Sequence, residues 1–238
     1  MSTLNVNNIA PESGTTITIG GSGDTVTLGS GASSSGFGAA VAGIAGVSTF
    51  TSSGTWTKAT REAALGVTIK RVIVYVTGGG GSASASQGGN YSAGGAGTAI
   101  KLIDVSSISS ATVTVGSGGA GVHYSPAQSG NNGGDSIWSD GTNTVTGGGG
   151  GRGIYNGGEN TGLGGTATGG DININGGNAP ASQYAQAGGS YWGSGGVRRD
   201  ITQSFSTRGA YGSGGTSVYD AQSIDAPDGI VVVWEVAG

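Results

Sequence analysis

Hydrophobic and polar positions alternate strictly in two short stretches near the start of the chain, Thr16-Ile17-Thr18-Ile19-Gly20 and Thr25-Val26-Thr27-Leu28-Gly29. Period-2 alternation closed by glycine is the pattern of a short strand with one apolar face. Two such strands bury too little to stand alone. Three copies of the chain pooling these faces would bury enough, which predicts a homotrimer. The Gly-, Ser- and Ala-rich run 30–45 reads as a linker. Residues 1–48 are therefore expected to be a short fibrous β segment that attaches the chain to a shaft or particle.

From residue 49 the pattern thickens. Residues 67–77 (VTIKRVIVYVT) carry β-branched and aromatic side chains throughout and form the strongest predicted strand. Further strands are expected over 98–105, 111–115, 136–146 and 230–236. Inside 136–146, Asp140-Gly141 separates two alternating runs and predicts a type I′ hairpin. Residues 60–65 favour a short helix, with Thr60 as N-cap and Gly66 as stop. Strong strands bracket 147–225, which holds one strand-like run, 171–175. The fold class this predicts is all-β. A β-sandwich-like domain spans 49–238, its first and last strands both in the core, with 147–225 inserted.

Composition changes the picture of that insert. Glycine supplies 55 of the 238 residues, and 13 of the 24 from 147 to 170. Such a chain loses much backbone entropy on folding and has few side chains to bury. Order must come from main-chain hydrogen bonds and close backbone packing. Flexible linkers rarely carry rings such as Tyr155, Tyr184, Tyr191, Trp192, Phe205, Tyr211 and Tyr219. A left-handed helix with three residues per turn, the polyglycine II form, lets bare backbones bond laterally. The strict glycine period of collagen is missing, so a bundle of short glycine helices joined by reversals is expected.

Charge and motifs narrow the function classes. Only 9% of residues are charged, and nine Lys and Arg against 13 Asp and Glu leave no basic footprint for nucleic acid. There is no cysteine. The longest apolar run, 39–47, is too short to span a bilayer, and residues 1–10 lack the pattern of a signal peptide. Two Gly-x-Gly-x-x-Gly matches, at Gly116 and Gly148, follow strands without opening a helix, so no cofactor is expected. Gly20-Gly21-Ser22-Gly23-Asp24 approaches a calcium-roll repeat but does not recur, and Asp135 and Asp171 stand alone. No metal site and no enzyme are expected. Full-sized side chains form islands between the glycine runs. From these we single out His123, Tyr124, Tyr155, Gln183, Tyr184, Arg198, Arg199, Phe205 and Arg208 as candidate contact residues. Such aromatic, amide and guanidinium groups suit a surface polysaccharide or the loops of an outer-membrane protein. The same islands also serve as reversals that cap glycine segments.

Residues 50–57 (FTSSGTWT), 71–81 (RVIVYVTGGGG), 111–116 (ATVTVG), 170–177 (GDININGG) and 226–234 (APDGIVVVW) occur in an ordered series. This series resembles the glycine-rich domain at the C-terminus of many tailed-bacteriophage tail fibre and adhesin proteins. Residues 2–7 (STLNVN) are similar to the starts of small fibre proteins of marine phages. The resemblance implies a non-enzymatic virion protein at a fibre tip, often trimeric, in which polyglycine helices carry loops that touch the host receptor. It also implies synthesis in the host cytoplasm and contact with other tail proteins through 1–48. Where the family has a short Lys-Pro-Ala-Gly-like turn, this chain has the longer 58–66. Competing readings are a capsid or baseplate decoration fibre, an ice- or surface-binding polyglycine protein, and a depolymerase. The last needs paired carboxylates, which Glu159 and Asp171 do not supply.

Overall fold

Strands form where β-branched and aromatic residues alternate with polar ones. The structure, a computed structural model, describes residues 43–86, 91–155, 162–180, 186–196, 209–216 and 223–238. Among them the chain forms β1 (Ile44–Phe50), β2 (Gly54–Thr57), α1 (Lys58–Leu65), β3 (Ile69–Thr77), β4 (Thr98–Asp104) and β5 (Ser110–Thr114). Then come β6 (Ser136–Ser139), β7 (Thr144–Gly147), β8 (Ala167–Thr168), β9 (Ile172–Ile174) and β10 (Ile230–Ala237). They build two five-stranded sheets, ordered β1-β10-β3-β4-β9 and β2-β5-β6-β7-β8. Every pairing is antiparallel. The chain is all-β, and its last strand lies between β1 and β3 at the heart of the first sheet.

One hydrophobic cluster joins the sheets. Val72, Val74 and Val76 of β3 and Val231 and Val233 of β10 face Trp56, Val113, Trp138 and Val145 of the second sheet. The rings of Trp56 and Trp138 lie 5.6 Å apart at a tilt of 49°. Burying a valine side chain contributes about 1.5–3 kcal/mol, so the alternating valines of two central strands supply the main apolar driving force.

Three local expectations change. Strand β1 starts at Ile44, inside the run read as linker, because pairing with β10 from Ile44 to Phe50 satisfies its backbone. Helix α1 starts after Thr57 rather than Thr60 and makes no side-chain cap; Gly66 does close it, donating to the Glu62 carbonyl at 2.8 Å. This helix occupies most of the segment 58–66. The β6–β7 connection has four residues instead of two. Asp140 explains why, since its Oδ1 accepts the N–H groups of Thr142 (2.9 Å) and Asn143 (2.6 Å) and closes a wider loop. The predicted strands at 16–20 and 25–29 lie outside the described residues.

The glycine runs bond with a repeat of three. The N–H groups of Gly78, Gly81 and Ser84 donate to the carbonyls of Gly97, Gly94 and Tyr91. Those of Gly79, Ser82 and Ala85 donate to Gly134, Asn131 and Gln128, and that of Gly80 to Pro227. Successive residues of one run thus address three different neighbours. The network takes in residues of 78–86, 91–97 and 116–135 besides parts of 147–225, so it is wider than the single insert expected from the sequence. Approach is close enough that a Cβ on Gly80 would overlap the Ser213 carbonyl.

Candidate functional site

Side chains at the ends of the glycine runs are held by the runs themselves. Ala85 and Gln128 exchange backbone hydrogen bonds at 2.9 Å, which anchors the far end of the loop that carries His123 and Tyr124. The two rings stack, with centroids 4.7 Å apart at 25°. Within that loop the Ser125 N–H donates to His123 Nδ1 at 3.2 Å, and Gln128 Nε2 donates to the His123 carbonyl at 3.3 Å. Tyr155 arrives at the same end, its N–H donating to Ser129 Oγ at 3.1 Å. Of the sequence-predicted contact residues, these three come together on one end. Gln183, Tyr184, Arg198, Arg199, Phe205 and Arg208 lie outside the described residues.

A second aromatic group, not singled out from the sequence as a site, gathers on the outer face of the first sheet. Tyr75 of β3 is the hub, with centroids of Trp234, Tyr191 and Trp192 at 5.9, 6.0 and 6.3 Å. Trp192 and Tyr191 meet edge-on at 5.2 Å. The Trp192 indole N–H donates to Thr77 Oγ1 at 2.9 Å, which fixes the ring against the end of β3. The sequence signal was available: Tyr75 and Trp234 occupy outward positions of strong strands, and Tyr191-Trp192 interrupts a glycine run.

The fully buried charge among the described residues is structural. Glu235 is fully buried at the inner face of β10. Its carboxylate accepts from Arg61 Nε (2.7 Å) and Nη2 (2.9 Å), Ser48 Oγ (2.6 Å) and Trp56 Nε1 (3.2 Å). These partners belong to α1, β1 and β2, so one group ties the two sheets and the helix together. Burial by itself raises the carboxyl pKa; the donors outweigh it and hold the group below the usual glutamate range.

No protein-family model and no curated protein matches this chain. The chemistry of its surface is then what bears on function. Among the described residues no three His, Cys, Asp or Glu side chains converge as metal ligands. No helix among them is long and apolar enough to cross a membrane. The described surface carries exposed rings, Trp192 among them held by its bond to Thr77.

Proposed function

We propose that this chain is a structural virion protein, a bacteriophage tail fibre or adhesin subunit that binds a host-cell surface receptor. In this reading the glycine runs are polyglycine II helices, and their main-chain lattice is a rigid mount for contact side chains. The observation that carries the reading is the three-residue repeat of lateral bonds, Gly78, Gly81 and Ser84 to one neighbour and Gly79, Ser82 and Ala85 to another. That repeat is what a helix with three residues per turn requires. Rings at the ends of such runs are supported, because the lattice fixes them before contact and little entropy is lost on binding.

Residues 1–48 attach the subunit to other tail proteins, and the subunit assembles as a homotrimer located in the virion. The apolar outer face of the first sheet supports self-association, since an antiparallel sheet facing water is ordinarily polar on that side. Many weak contacts multiplied over copies give firm attachment. The test is immunogold electron microscopy with antibody to the full chain, on intact particles of the phage that encodes it. Label at the distal ends of tail appendages is the expected result. Label on the head or baseplate shell supports the decoration fibre instead, and absence of label from intact particles removes the virion reading.

A further inference from the structure

Two turns, at 190–193 and 210–213, share a cleft. In the first turn Ser190 and Gly193 exchange backbone hydrogen bonds of 2.9 and 3.3 Å, which leaves Tyr191 and Trp192 at the tip. In the second the Ser213 N–H donates to the Ala210 carbonyl at 3.0 Å, and Gly212 takes φ +69°. A positive φ at the third position is what a type II turn demands, and it places Tyr211 at the corner. The Ser190 hydroxyl clamps the turns together, donating to the Tyr211 carbonyl at 2.5 Å and accepting from the Trp192 N–H at 3.2 Å. The cleft between them measures about 450 Å³ and is lined by Trp192, Gly209, Ala210, Tyr211, Pro227 and Asp228. That size falls among small-ligand sites.

Its polar groups are few and uneven in their bonding. Asp228 Oδ1 accepts the Gly118 N–H at 2.7 Å, while Oδ2 has no hydrogen bond among the described residues. The buried Ser213 hydroxyl, directly behind Gly209, also has no partner among them. The rings are 36% (Trp192) and 43% (Tyr211) exposed. No Lys, Arg or His is among the described lining residues.

We propose that this cleft binds a neutral saccharide, one pyranose unit lying against Trp192 and Tyr211 and donating a hydroxyl to Asp228. A pyranose presents a C–H face that packs on a flat ring and hydroxyls that radiate in its plane. Rings held in advance, as Trp192 is by Thr77 and Tyr75, lose little freedom on contact. A hydroxyl donated to a carboxylate is a short, strong hydrogen bond. Among the described lining residues no cation stands beside the carboxylate, and a lone carboxylate disfavours phosphorylated and acidic sugars, so the ligand class proposed is neutral. The inference rests on the receptor-binding reading and names the chemistry of one of its sites.

The test presents the full chain to an array of neutral and acidic glycans, followed by titration with the best neutral oligosaccharide. Melting curves of each variant accompany the titration. Trp192→Ala and Tyr211→Ala are expected to weaken binding about tenfold each, the scale of a lost aromatic contact. Trp192→Phe keeps most of the affinity, Asp228→Asn loses several-fold, and Thr112→Ala, at an exposed position of β5 in the second sheet, changes nothing. Binding to no neutral glycan overturns the proposal, as does preference for acidic ones. So does unchanged affinity in Asp228→Asn and Trp192→Ala proteins that melt like the parent. If cleft variants bind glycans as expected but particles carry no label, the virion reading alone falls. If labelled tips bind cells through protein and no glycan competes, the cleft assignment alone falls.

Discussion

A carboxylate survives inside the apolar core because four donor contacts surround it. Removing Arg61 leaves Glu235 with only Ser48 and Trp56, neither of which carries charge. Arg61→Ala is therefore expected to cost about 2–3 kcal/mol, read as a lowered urea midpoint, the range for hydrogen bonds to charged groups. The lowered pKa of Glu235 fixes the direction of a pH effect. In the unfolded chain the carboxyl binds protons near its ordinary value of about 4.3, while the folded form resists until lower pH. Stability from this group is thus complete above that range and is lost as pH falls through the folded pKa. Asp140 acts in the same direction: its burial raises the pKa, and the Asn143, Thr142 and Trp138 donors overcome that and lower it. Thermal melts across acid pH are expected to fall below about pH 4, and Glu235→Gln should flatten that limb while melting lower at neutral pH. Alternation in β10 places Glu235 inward with Val231 and Val233, so a buried glutamate was legible in the sequence. Its partner was not, because Arg61 is 174 residues away along the chain.

Elements are held by side chains spaced three apart. Asn132 and Asp135 accept the N–H groups of Arg152 and Gly149; Asn175 and Asn178 accept those of Ala167 and Gly164. Asp225 and Asp228 accept those of Gly121 and Gly118. Each pair runs antiparallel to the run it caps, and the shared spacing matches one turn of a three-residue helix. Asn178→Ala frees the Gly164 N–H and should cost about 1 kcal/mol, with faster amide exchange at Gly164 as its local sign. Strands β3, β4, β5 and β10 were legible because β-branched and other apolar residues concentrate there, whereas the seven-residue β1 (IAGVSTF) was not, being rich in small residues. These Asx pairs were printed in the sequence but not read, since period-2 and period-3.6 templates pass over a period of three. The faces of the first sheet differ in a second way. Val47, Trp234, Ile73 and Leu102 line up across four strands on its outer side, with Val47 and Leu102 about half exposed at 49% and 52%. Such a row is a hydrophobic patch of the kind that marks an interface. If copies associate through this row, in line with the proposed homotrimer, Leu102→Lys should shift sedimentation toward lighter species without changing the monomer's melting. An unaltered distribution would remove this row as a contact between copies.

At the scale of the molecule, the sandwich and the glycine lattice are one continuous hydrogen-bonded body. Strand β3 runs directly into Gly78, whose N–H reaches the carbonyl of Gly97 just before β4. At the other end Gly229, immediately before β10, donates to Gly116, which follows β5. The sheet that gives the molecule its apolar core therefore also fixes the ends of the glycine runs, and the lattice in turn fixes where the strands enter. A cooperative unit of this kind should unfold in one step, so disruption of the lattice should reach the core. Gly80 provides the means, since a methyl group there meets backbone atoms of Ser213 that have no rotamer to yield. Overpacking against a main chain is costly, beyond the 1–3 kcal/mol of an ordinary core insertion. Gly80→Ala is expected to lower together the near-ultraviolet signal of the Trp56–Trp138 pair and the exchange protection of glycine amides. Coincident loss by both probes along a denaturant series is the predicted outcome. Glycine amides that exchange freely while the tryptophan signal persists would instead divide the molecule into two independent folding units. The contact rings would then rest on a mount that the sandwich does not stabilise.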